Sequence, residues 1–211
     1  MNIVRTMLVV SAALAPVAIA QTWEIGGGVG GGFYTSQTVT SSAGSASAKL
    51  QSGLAGGAWV GNNIYGKWSG EVRYEYQMGD LELSSGGTTV TFGAHTQQFH
   101  YDVIWHATPS GSRVRPYVEG GAGVKLYQGT GTQVVYQPLG NIAVLTAQQD
   151  LTPLVSVGGG VKFQISPHVQ LRFDFHDYLT PFPKNVITPN NGKVSGWLQD
   201  FVPMFGISYT N

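Results

Sequence analysis

The chain has 211 residues, a formal net charge of zero and no cysteine. That balance gives no reason to expect nucleic acid as a partner, and the missing cysteines exclude a disulfide framework, a Cys-based zinc site and a lipoprotein anchor. Charged side chains are only 10% of the chain, against roughly 25% in ordinary soluble domains; Gly occurs 30 times, and mean hydropathy is +0.01.

Residues 1–20 carry the pattern of a cleaved secretory signal. Arg5 supplies the positive start, Met7 to Leu14 the apolar stretch, and Ala18-Ile19-Ala20 the small-x-small site before Gln21. The remaining chain, 21–211, holds no apolar run of about 18 residues, so transmembrane helices are not expected.

It shows period-two alternation instead, which is the signature of strands. Trp23 to Tyr34 sets Trp23, Ile25, Val29 and Phe33 against Glu24 and a row of glycines. Its GxGxxG at Gly26, Gly28 and Gly31 lies inside a strand rather than before a helix, which argues against phosphate binding. Thr35 to Lys49 reads as a polar loop and Leu50 to Val60 as the second strand, closed by a turn at Gly61-Asn62-Asn63.

The third strand, Ile64 to about Leu83, contains the clearest alternation in the chain. Trp68, Val72, Tyr74 and Tyr76 oppose Glu71, Arg73 and Glu75. Ser84 to Gly87 is its hairpin tip, and Thr88 to Ala107 the fourth strand, with Phe99, Tyr101, Val103 and Trp105 against Gln98, His100, Asp102 and His106. After a turn at Thr108 to Arg113, Val114 to Tyr127 is the fifth strand. Gly129 to Asp150 is a long connection with a candidate strand extension at Ile142 to Thr146. Leu151 to Ile165, Val169 to Tyr178 and Trp197 to Thr210 complete eight strands. Pro116, Pro153 and Pro203 fall on apolar-face positions of these strands.

Connections after the second, fourth and sixth strands are short, and the others are long or lie beyond extended arms. Short turns at one end and long loops at the other are the outer-membrane barrel arrangement, with apolar residues outward and polar residues inward. The expected fold is all-β: an eight-stranded antiparallel up-and-down transmembrane β-barrel.

The segments RPYVEGGAGVKLY (Arg115 to Tyr127) and VQLRFDFHDYLTPFP (Val169 to Pro183), with FGISY (Phe205 to Tyr209) near the end, resemble the small outer-membrane β-barrel family of OmpA/OmpX type. The resemblance spans the mature chain. It implies a Gram-negative outer-membrane location, outer-membrane lipids and lipopolysaccharide as surroundings, and the barrel-assembly machinery as a partner in biogenesis. Tyr209, Ile207, Phe205 and Phe201 match the family's assembly signal. A monomer is expected.

With polar faces turned inward, the lumen receives Glu24, Glu71, Glu75, Asp102, Glu119 and Asp174 with Lys67, Arg73, Arg115, Lys125, Lys162 and Arg172. An eight-stranded barrel is just wide enough for side chains to fill it, so these charges should pair and close the pore. Outward aromatics form two groups: Trp23, Trp68, Trp105 and Tyr209 toward the turns, and Phe33, Tyr76, Phe175 and Trp197 toward the loops. These are the expected lipid-facing belts.

A structural or surface-interaction role follows, with no cofactor and no catalytic residues. Two alternatives stand beside it. A narrow channel would use the polar lumen. A lipid A-modifying enzyme would use His176 with Asp174 or Asp177, and Ser156 or Ser195. His100, His106 and His176 show no recognised metal-ligand spacing.

Overall fold

The computed structural model describes residues 22–194 and 196–211; the expected signal sequence and Ser195 lie outside them. Fourteen strands form in chain order: β1 (Trp23–Tyr34), β2 (Gln37–Ser41), β3 (Gly44–Leu50), β4 (Gly53–Tyr65), β5 (Trp68–Met78), β6 (Leu81–Ser85), β7 (Thr88–Phe92), β8 (Ala94–His106), β9 (Val114–Gly129), β10 (Ala143–Leu145), β11 (Gln149–Ser166), β12 (Val169–Pro181), β13 (Ile187–Pro189) and β14 (Trp197–Thr210). Eight of them close a barrel in the order β1-β14-β12-β11-β9-β8-β5-β4, every neighbour antiparallel. Closure leaves no barrel edge, which is what lets strands cross a bilayer without unsatisfied backbone groups.

The alternation read in β5 holds around the ring. Val72, Tyr74, Phe99, Val118, Phe173 and Ile207 are exposed on the outside, while Arg73, Glu75, Asp102 and Arg172 are fully buried inside. The three prolines sit where pairing stops or is replaced. Pro116 faces Ala107, just past the end of β8, whose N–H its carbonyl accepts at 2.9 Å. The Ala107 carbonyl, left without a proline N–H, accepts from Lys67 Nζ at 2.8 Å instead. Pro153 lies beyond the last β11–β12 pair, Val155↔Leu179. Pro203 falls in the gap of the β1–β14 ladder between Gly30↔Met204 and Phe33↔Phe201. At these two points the N–H that proline lacks has no ladder partner to lose.

Three connections differ from the sequence reading. The turn after β4 is at Gly66-Lys67 rather than Gly61 to Asn63; Asn62 and Asn63 still pair with Gly70 and Ser69, and Gly66 supplies the left-handed corner at φ 56°. Residues 35–49 are not a polar loop but the β2–β3 hairpin, and Leu50 belongs to it. The long third and fourth strands each break, at Gly79-Asp80 and at Gly93, so that β6 and β7 leave the barrel.

These departing strands build a cap. β2, β3, β6 and β7 form a four-stranded sheet, and β10 pairs with β13, so the 142–146 segment is part of a separate ribbon. Between them lies an apolar core that includes Val39, Leu50, Leu81, Leu83, Leu145 and Ile187, each under 2% exposed. Tyr127 of β9 and Leu198 of β14 belong to the same core, so the cap is packed directly onto the barrel mouth.

Candidate functional site

The interior is built in levels. At the turn end, Lys162 donates to Glu24 at 2.5 Å, and Ser208 donates to the other oxygen of Glu24 at 2.9 Å. Next comes a level organised on Arg73 and Arg172. Arg73 donates to Glu71 at 2.7 and 3.0 Å, to Asp174 at 3.0 Å and to Glu75 at 3.3 Å. Arg172 donates to Asp174 at 2.7 Å and to both oxygens of Glu71, one at 3.2 Å. Tyr117 joins them by donating to Asp174 and accepting from Arg172 at 2.8 Å.

Both guanidinium groups lie over the Trp59 ring, each 4.8 Å from its centroid. Planar guanidinium stacks well on an indole face. Gly26 and Gly206 make the room: a Cβ there would come within 2.5 and 2.4 Å of the indole. The glycines of the GxGxxG stretch are therefore close-approach positions on a barrel wall, not a phosphate cradle.

Above this, Tyr178 donates to Glu75 at 2.8 Å and Gln98 donates to its second oxygen at 2.6 Å. Ala55, Leu154, Val202 and Met204 add an apolar layer. Nearest the cap, Lys125 donates to Asp200 at 2.5 Å and sits 4.8 Å from the Tyr34 ring. Tyr127 and Thr180 share a hydrogen bond of 2.6 Å. The void between Glu24, Ser69, Glu71 and Lys162 holds about 10 Å³, roughly room for one water.

Eleven of the twelve expected lumen charges are buried inside, and Lys67 is not. It sits in the β4–β5 turn, where it reaches the Ala107 carbonyl and lies over Trp105. The turn falls later than expected, which carries Lys67 out to the rim. Arg115 is buried, yet its Nε and one Nη make no hydrogen bond, and it lines a cavity of about 160 Å³ at the turn end with Gln170 and Thr210.

Asp200 was missed by sequence reading because its neighbours on the inward face of β14 are the apolar Leu198, Val202 and Met204; its parity alone marked it. With Asp200 inside and Lys67 outside, the six-to-six balance becomes seven carboxylates to five Lys and Arg among the described residues.

His176, His100 and their acids form a separate group on the interior wall. His176 Nε2 is 2.8 Å from Glu119, and His100 Nδ1 is 2.8 Å from Asp102. Tyr178 holds both rings, stacked on His176 at 5.2 Å and edge-on to His100 at 5.1 Å. His106 stands apart, 3.0 Å from Ser69. Asp177 faces outward and accepts from Gln199 at 3.0 Å. Ser156 is fully buried. His176 and Ser156 therefore have no access to the barrel surface, where a lipid substrate would sit.

On the outside, Trp68 pairs with Trp105 and Ile25 with Tyr209 at the turn end, and Trp23 is half-buried there. Toward the cap, Phe33 pairs with Phe201, and Phe175 stacks on Phe201 at 6.1 Å. Tyr76 stacks on His95, and Trp197 is exposed at the start of β14.

A closed eight-stranded barrel with a charged, filled interior and a continuous apolar outer face is a transmembrane β-barrel of the outer-membrane class. The chain belongs to that class by sequence as well: the family model for the outer membrane protein beta-barrel domain matches residues 6–197, so the protein is a member of this family of Gram-negative outer-membrane proteins. Among solved structures it is similar to OprG from Pseudomonas aeruginosa, with a TM-score of 0.58 at 14% identity over 91% of this chain and 96% of that one. Neisserial surface protein A gives 0.55 at 12% identity over 89% and 96%, and Ail, the attachment invasion locus protein of Yersinia pestis, gives 0.51 at 10% over 90% and 99%. At these identities the likeness is one of fold. No curated protein matches the chain.

Proposed function

We propose that the protein is a closed, monomeric outer-membrane barrel that presents a folded cap at the cell surface, with a structural or surface-interaction role. The observation that carries this reading is the apolar core shared by the cap strands and the barrel residues Tyr127 and Leu198. A cap packed onto the mouth, above a lumen filled by charged side chains, supports a closed barrel. It also gives the extracellular end a defined surface, including Val135 and Tyr136, which stand fully exposed on the β9–β10 connection. The two outward aromatic groups are placed to sit at the two headgroup levels, with lipopolysaccharide around the upper one. Residues 1–20 direct export, and the β14 pattern ending at Tyr209 is read during assembly.

Planar-bilayer recording on the purified, heat-modifiable protein tests the closed reading. No stepwise current is expected; a reproducible unit conductance would replace it with a channel. The non-enzymatic reading is tested by lipid A mass spectrometry on cells expressing the protein or its His176→Gln variant. The spectra should match each other and those of cells without the protein, and a modification that depends on His176 would make it an enzyme.

A further inference from the structure

The buried group of Asp102, Glu119 and His176 has the chemistry of a metal centre. Asp102 comes from β8, Glu119 from β9 and His176 from β12, and one donor atom of each lies within 4.8 Å of the other two. All three residues are at most 5% exposed. The two imidazole–carboxylate contacts here are at 2.8 Å, yet neither has hydrogen-bond geometry, and both oxygens of each acid stay without a directed donor. Arg172 approaches Glu119 only to 3.5 Å. Elsewhere in the lumen the carboxylates of Glu71 and Asp174 accept well-directed bonds from arginine or tyrosine. An acid buried beside a donor that is not aimed at it is costly, unless something else sits at its lone pairs.

Two further observations point the same way. The wall is cut back to glycine where the donors stand: a Cβ on Gly121 would be 2.4 Å from Asp102 Oδ1, and one on Gly158 would be 2.8 Å from His176 Cδ2. The interior charge is also unbalanced, with seven carboxylates against five Lys and Arg side chains. Leaving aside the buried histidines, the surplus is two negative charges, as many as one divalent cation would offset.

We propose that the barrel interior binds one divalent transition-metal ion of the Zn2+ type through Asp102, Glu119 and His176. One imidazole nitrogen with two carboxylate oxygens suits Zn2+, Mn2+ or Fe2+ and is a poor set for Ca2+ or Mg2+, which take oxygen donors. Donor oxygens and nitrogens of this kind hold Zn2+ at about 2.0–2.2 Å. His100 Nδ1, 2.8 Å from Asp102 Oδ2, is close enough to donate to that oxygen once the carboxylate turns its other oxygen to the ion. The ion's role is to neutralise and rigidify the filled lumen, independently of what the cap contacts. Since the site is buried, it loads during folding.

The test is refolding from urea into detergent micelles with Zn2+, with Co2+ or with EDTA, followed by removal of free metal. One ion per chain is expected by elemental analysis. The Co2+ form should show visible d–d absorption, which reports ligation directly and needs no variant. Glu119→Gln, if it folds by heat-modifiability, should lose the ion, and His100→Gln should weaken its retention about 10–100-fold. Less than about a tenth of an ion per chain in the wild type, or Co2+ retained with the spectrum of the free aqua ion, would overturn the proposal. The surplus charge would then be carried by protonated imidazoles.

Discussion

Arg172 reaches across the whole barrel to grip Glu71. Their strands, β12 and β5, stand on opposite sides of the ring, and both guanidinium Nη atoms meet the carboxylate. The bond ties two walls that share no ladder hydrogen bond. Removing one partner takes away part of the other's pairing, since Glu71 keeps Arg73 and Arg172 keeps Asp174, and should cost about 1–3 kcal/mol. Arg172→Met and Glu71→Gln should each lower the urea midpoint of the refolded protein in micelles by that measure. The double variant Glu71→Leu/Arg172→Leu should recover part of the loss. A midpoint unchanged in either single variant would show that the cross-lumen pair contributes nothing.

Trp59 predicts a size rule for the facing glycines. Trp59→Ala should destabilise the barrel by about 3–5 kcal/mol through the cavity it opens beneath Arg73 and Arg172, against the Gly26 and Gly206 wall. Gly206→Val should be worse, because the added carbon meets both the indole and the Gly27 carbonyl, at 2.4 and 2.8 Å. Adding Trp59→Leu to Gly206→Val removes only the first clash, so the folded fraction on semi-native gels should rise without reaching the wild-type value.

The outer face is tested at Val72, which is apolar, outward and set between Tyr101 on β8 and Val60 on β4. Val72→Arg puts a charge against lipid and should cost roughly 2–4 kcal/mol near the midplane. Val72→Ala should be close to neutral. The yield of heat-modifiable protein in isolated outer membranes separates the two; equal yields would reverse the assignment of faces.

Cap and barrel should also separate. Leu83 is buried in the cap core, on a strand that has left the barrel. Leu83→Asp buries a charge there and should open the cap to protease on intact cells. The barrel should keep its heat-modifiable shift, since β5 and β8 pair below the break. Loss of that shift would mean that the cap is needed to close the barrel.

The alternation of β5, β8 and β12 is legible in the amino-acid order, because period two is a local property and a one-residue slip would turn every charge toward lipid. The same parity holds a clue to the cap. Leu81 and Leu83 are apolar at odd positions, where the preceding strand is polar, so the pattern changes sign at Gly79-Asp80. Reading Ile64 to Leu83 as one strand overlooks that change.

What the sequence by itself determined is the set of inward and outward residues on eight strands, and with it the membrane barrel. A side chain's face depends only on its own strand. Which charges meet was decided by the ring. Closure puts β12 opposite β5 and so joins Arg172 to Glu71; it brings β14 within reach of β9 and so gives Lys125 its partner Asp200. The fold also converts loops of unremarkable composition into a cored cap, since Val39, Leu145 and Ile187 share a core only once their hairpins stand side by side. The grouping of Asp102, Glu119 and His176 has the same origin: three strands bent around one small lumen, with glycine on the wall where the donors need space.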